Sequence, residues 1–204
     1  MQTNPGRLRA LLDGEARGSD DLAPAGDPAV RAHLAFVAEA LAANAAPAAA
    51  PALEAFAADL PDLLAARERQ VDEEIRRGGE AAAFEIDLQF GDEAADDPSV
   101  HEMVDRRVRI GAWTRVFLAE LDAARAPAEP IAERALVWMG ERQVQLADTI
   151  FAMDRRAKEA ELERGGPDAI ADTDVVNRIG QAAMLQAHTR FLVEAVAEGV
   201  SPPS

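Results

Sequence analysis

The side chains with the widest chemical range here are three histidines, His33, His101 and His188, and 37 acidic residues. In a helical chain they raise the question of a metal-carboxylate centre, which takes Glu-x-x-His pairs from two helices and further inward-facing acids. No Glu is followed by His three residues on; the nearest pattern is Glu102-x-x-Asp105. The histidines fall on three different predicted helices, so the pattern assigns no metal ligand, cofactor or catalytic residue. A metal-dependent bundle enzyme would require these groups to converge in space. Cysteine and tyrosine are absent, which excludes thiolate chemistry and disulfides. No Gly-x-Ser-x-Gly elbow or glycine-rich phosphate loop occurs.

From Glu80 to Asp105 there are nine acids and no Lys or Arg. Asp92, Glu93, Asp96 and Asp97 lack the spacing of an EF-hand loop. The run reads as a solvated acidic loop, or as a dock for a basic protein partner. Arg106, Arg107 and Arg109 follow, as an anion clamp or as partners for nearby acids. With a net charge of −16, unassisted binding to nucleic acid or an anionic membrane is not expected, because both need a basic surface.

One small-molecule site suggests itself. If the helices bearing Gly111 and Gln143 are antiparallel, those two residues are level, and Trp113 and Trp138 are neighbours. Trp113, Trp138 and Gly111 could then line an apolar or aromatic ligand pocket with Gln143 as its polar anchor. Close helix packing at the glycine with ordinary core tryptophans is the competing reading. The same pairing would bring Arg106 level with Asp148.

The elements that would position these groups are mostly helices. Of the residues, 49% are apolar and only 4% aromatic, and much of the apolar fraction is alanine, the strongest helix former. Asp27-Pro28 is a helix start, an N-cap followed by Pro at the first helical position. Val30, Leu34, Val37 and Leu41 recur at helical spacing. Leu53, Phe56 and Leu60 mark a second helix. Pro61 begins or kinks a third, which carries Leu64, Val71 and Ile75 and ends at Gly78-Gly79. Ser99 and Glu102 form a capping box for a helix to about Ala124. A long helical pattern runs from Pro130 to Arg164, and a last helix begins at Asp172 or Thr173.

Within the long pattern, Leu136, Met139, Gln143, Leu146, Ile150, Met153, Ala157 and Ala160 keep a three-four step, like the seam of a coiled coil. Val137, Val144 and Phe151 form a second stripe beside it. Two stripes imply contact with more than one neighbour.

The segment Phe84-Glu85-Ile86-Asp87-Leu88-Gln89-Phe90 alternates apolar and polar residues, the period of a half-buried strand. Its Phe84/Leu88 and Ile86/Phe90 spacings also suit a helix. As a strand it has no partner in the chain, and an unpaired backbone needs one. Phe84, Ile86, Leu88 and Phe90 are therefore the expected contacts of a homodimer, with the flanking acids discouraging further edge pairing.

These readings predict an all-α fold: one antiparallel helical bundle over residues 1–204, with long C-terminal helices and a short strand-like arm. Residues 1–26 are expected to be partly flexible and 200–204 a disordered tail. No apolar run reaches the length of a membrane span, and Met1-Gln2-Thr3-Asn4-Pro5 lacks the layout of a signal peptide, so the expected location is the cytoplasm. The function expected is a non-enzymatic, homodimeric interaction or regulatory protein; the alternative is a bundle that binds a small apolar or aromatic ligand.

Overall fold

Helical spacing of apolar residues becomes helix throughout. The computed structural model describes residues 27–44, 50–90, 98–125, 131–171 and 173–200. Among the described residues, all regular structure is helical. In chain order it comprises α1 (Asp27–Asn44), α2 (Ala50–Ala66), α3 (Glu68–Phe90), α4 (Pro98–Arg125), α5 (Ala132–Glu141), α6 (Gln143–Gly165), a 3-10 turn at Pro167–Ile170, and α7 (Thr173–Val200). The flexible segment expected over residues 1–26 and all of the expected 200–204 tail but Val200, the last residue of α7, lie outside the described residues.

The bundle's centre combines Val30, Leu34 and Val37 of α1 with Phe56, Leu60 and Leu64 of α2. Trp113, Phe117 and Leu121 of α4 join them, as do Leu185, Leu192 and Val193 of α7. Phe56 and Phe117 meet at 5.7 Å between ring centroids, a separation at which tilted rings attract. The N-terminal helices thus share the main core with α4 and α7.

Helix α4 runs antiparallel to α3. Arg67 pairs with Glu120 at one end, Arg115 Nη1 lies 3.9 Å from Glu74 Oε2, and Val108 packs on Gly78 at the other end. Helix α6 is antiparallel to α7: Leu146 packs with Phe191, and Asp154 lies beside Gly180. The expected antiparallel pairing of α4 with the long helical pattern is kept at α5, where Asp122 meets Ile131 and Arg107 reaches Gln143, while α6 pairs with α7.

Three boundaries in the N-terminal half differ from the sequence reading. The strand-like run is not a strand: residues 84–90 are the last turns of α3. Ala81-Ala82-Ala83 carries strong helix propensity into the run, and its apolar residues four apart serve a helix as well as a strand. Gly78-Gly79 does not stop α3. A Cβ at Gly78 would stand 2.9 Å from Val108 Cγ1, so this glycine permits close approach of α4. Pro61 lies inside α2 with its ring exposed, and the chain turns instead at Arg67, whose N–H donates to Leu64 O at 3.1 Å.

The long C-terminal pattern divides at Arg142, which has φ −109° and ψ 18°. Arg142 donates from Nη1 to Trp138 O at 3.3 Å, and its guanidinium sits 4.0 Å from the Trp138 ring centroid. That cation–π contact and the weak helix propensity of Gly140 favour the break. Helix α5 itself starts on a carboxylate borrowed from α4. Asp122 accepts from the backbone N–H of Ile131 at 2.8 Å and of Ala132 at 2.9 Å. It satisfies donors left open at a helix N-terminus and complements the positive end of the helix dipole.

Candidate functional site

The residues proposed for a ligand pocket differ in burial. Trp113 is 1% exposed in the main core, with the Arg31 guanidinium 5.7 Å from its ring centroid. Trp138 is half-buried on α5; its ring meets Phe191 edge-on at 5.9 Å and carries Arg142 on its face. Gln143 is exposed and accepts from Arg107 Nη2 at 3.4 Å. Gly111 lies one helical turn beyond Arg107, and a Cβ there would make only ordinary contact, 3.6 Å from Arg115 Nη1. The polar contact of Gln143 is thus to Arg107, and Trp138 packs both on the main core that holds Trp113 and beside Phe191 of α7.

The histidines are equally dispersed. His33 is buried between α1 and α7, where Thr189 Oγ1 lies 3.2 Å from its Nδ1. His188 Nδ1 donates to Met184 O at 2.9 Å. Burial holds both imidazoles below the ordinary histidine value of 6.5. At His188 the Met184 carbonyl opposes that shift, and the Arg107 charge adds to it. Both rings are therefore held neutral at pH 7. His101 is exposed on α4. Among the described residues no three of His, Asp and Glu gather as a metal would require.

The anion-clamp arginines are engaged by the protein itself. Arg109 Nε donates to Asp105 Oδ2 at 2.8 Å, and Arg107 to Gln143. Of the acidic run, residues 91–97 lie outside the described residues. So do the side chains of Phe84, Ile86, Leu88 and Phe90, the expected dimer contacts; only their helical backbone is described. No helix among the described residues is long and apolar enough to cross a membrane.

A different feature gathers on one side of the molecule. Among the described residues, every large apolar side chain that is exposed lies on α5 or α6: Leu136 at 37%, Val137 at 56%, Val144 at 75% and Phe151 at 68%. Val137, Val144 and Phe151 are the second stripe of the sequence, spaced by seven. The middle of the first stripe is covered: Leu146 is buried against Ala187 and Phe191 of α7, with Met139, Ile150 and Met153 half-buried around them. Exposed Gly140 and Ala147 lie between the outward residues, giving a continuous strip of apolar and small side chains.

Sequence reasoning found this stripe but gave it a neighbour within the chain. The missing information was which helices pair. Once α4 lies along α3, α6 keeps α7 on one flank and its outer stripe faces away from the bundle. Comparison with known protein families, characterised proteins and solved structures gives no match to this chain.

Proposed function

We propose that the protein is a helical-bundle interaction or regulatory protein that acts as a homodimer through the outer face of α5 and α6. One observation carries this reading. Of the four exposed large apolar side chains among the described residues, three, Val137, Val144 and Phe151, repeat every seven residues along α5 and α6. Isolated exposed apolar residues are ordinary on a protein surface; a contiguous strip of them marks an interaction site. A seven-residue repeat is the spacing with which one helix packs along another.

The homodimer expected from an unpaired strand loses that support, because residues 84–90 are helical. The reading now rests on the α5–α6 stripe. Among the described residues no three of His, Asp and Glu gather in one place, which supports a surface role over a reaction in the bundle.

Sedimentation velocity between about 1 and 100 μM tests it. The expected result is a concentration-dependent monomer–dimer equilibrium, which Val144→Glu with Phe151→Glu shifts to monomer while the helical circular dichroism is unchanged. A chain that stays monomeric throughout this range would refute the homodimer.

A further inference from the structure

We infer that the occupant of this face is a second copy of the chain, its α6 antiparallel to the first, with the two Phe151 side chains meeting at the two-fold axis. The inference rests on the homodimer reading above and adds its geometry. Its ground is the order of charges around the apolar stripe.

At 3.6 residues per turn, Val144, Asp148, Phe151 and Arg155 fall within about 60° of arc, and all four are exposed. Asp148 and Arg155 lie on the same side of the Phe151 direction. When two helices pack antiparallel, equivalent flanks face each other. Asp148 of one copy then meets Arg155 of the other, and the symmetry makes this contact twice. The axis passes midway between residues 148 and 155, which leaves the two Phe151 positions about 1.5 Å apart in level along the helices.

A parallel, in-register pairing would instead set Asp148 level with Asp148 and Arg155 level with Arg155. In the antiparallel register Val144 comes level with Lys158 and Glu159 of the other copy, close to Leu162. The Lys158 ammonium is held back by Asp154 Oδ2 at 2.7 Å, so its aliphatic stem is free to cover the valine. Arg155 has a long contact to Glu159 Oε1 within its own helix, 3.7 Å, a geometry that leaves guanidinium donors for a carboxylate across the axis.

A basic partner would be matched by an acidic rim, but Arg155 and Lys158 occupy the rim here. Both signs are present, in the order that self-pairing needs. Recognition of this kind is by charge register as much as by apolar area.

The absence of cysteine gives a clean experiment. Phe151→Cys supplies the only thiol in the chain, at an exposed position. Under mild oxidation at micromolar concentration, it should form an intermolecular disulfide about tenfold faster or more than Glu54→Cys, an exposed control on α2, because the dimer raises the local thiol concentration. In the cysteine-free chain, Asp148→Arg and Arg155→Asp should each weaken the dimer about tenfold by sedimentation, since each lost contact occurs twice. The double variant Asp148→Arg/Arg155→Asp should recover most of the loss.

Three results overturn the inference. A wild-type monomer removes both the geometry and the reading beneath it. A Phe151→Cys chain that crosslinks no faster than the control at a concentration where sedimentation shows that variant to be dimeric leaves the dimer standing and refutes the axis. A dimer whose double charge variant is no tighter than the single ones refutes the antiparallel register.

Discussion

His33 and His188 are the residues whose protonation the fold controls most directly. Burial disfavours the imidazolium at both positions, and at His188 the Arg107 charge disfavours it further. Each therefore binds fewer protons in the folded state than in the unfolded state, where the value is near 6.5. Stability rises with pH wherever the unfolded chain binds more protons. The contribution of the neutral rings is complete above about pH 7.5 and declines as pH falls through 6.5, until the folded rings themselves titrate. Urea midpoints measured from pH 7.5 to pH 5 should fall across this window, and His33→Gln with His188→Gln should flatten the fall. An unchanged slope would place the pH sensitivity elsewhere. No spacing in the sequence announces this role. What fixes it is the meeting of α1 with α7 at His33 and Thr189, residues 156 apart in the chain.

At the scale of elements, two adjacent glycines in α3 separate helix propensity from packing. Gly79 has nothing within 4 Å of an added Cβ, while Gly78 would place that atom 2.9 Å from Val108 Cγ1. Gly79→Ala should stabilise the protein by about 0.5–1 kcal/mol, the ordinary gain in a helix interior. Gly78→Ala should destabilise it by about 1 kcal/mol or more. Valine is stiff at χ1, and overpacking outweighs the propensity gain. Chemical denaturation of the two variants decides the matter, and equal stabilisation by both would mean that α3 and α4 separate freely. Helices were legible wherever the apolar spacing was 3.6 and a cap was present, as at Asp27-Pro28 and near Thr173. The boundaries that misled were those where one residue type serves two purposes. Gly78-Gly79 reads as a stop but provides close packing. Residues 84–90 satisfy period two and the four-residue step together. Arg142 breaks a pattern whose three-four step runs on without a gap through one polar residue, Gln143, because the gain is a contact with Trp138. Pairing between helices was the least legible of all, and the candidate pocket depended on it. The sequence paired α4 with the whole long pattern, whereas α4 lies along α3 and meets only the α5 end of that pattern, with Arg107 reaching Gln143.

For the molecule as a whole, the decisive division is between apolar residues that stabilise the fold and those the fold leaves over. Phe117 is completely buried and shares the main core with Phe56, Trp113 and Leu121, whereas Phe151 is 68% exposed on the outer face of α6. A net charge of −16 keeps copies apart by self-repulsion, so retention of an apolar strip against that repulsion calls for a local complement. The strip has one in its own Asp148 and Arg155. The two phenylalanines should therefore fail in different ways. Phe117→Ala opens a cavity and should cost about 3–5 kcal/mol of folding stability, at any protein concentration. Phe151→Ala removes little that the isolated bundle buries and should change the stability of the monomer by less than about 0.5 kcal/mol. It should instead weaken association, and so reduce the rise of the thermal midpoint with concentration that mass action gives a dimer. Thermal unfolding of both variants at 1 and 100 μM, set beside the unmodified chain, makes the comparison. If the midpoint of the unmodified chain does not move with concentration, the strip is not a homodimer contact. If Phe151→Ala lowers the midpoint equally at both concentrations, Phe151 belongs to the folding core after all.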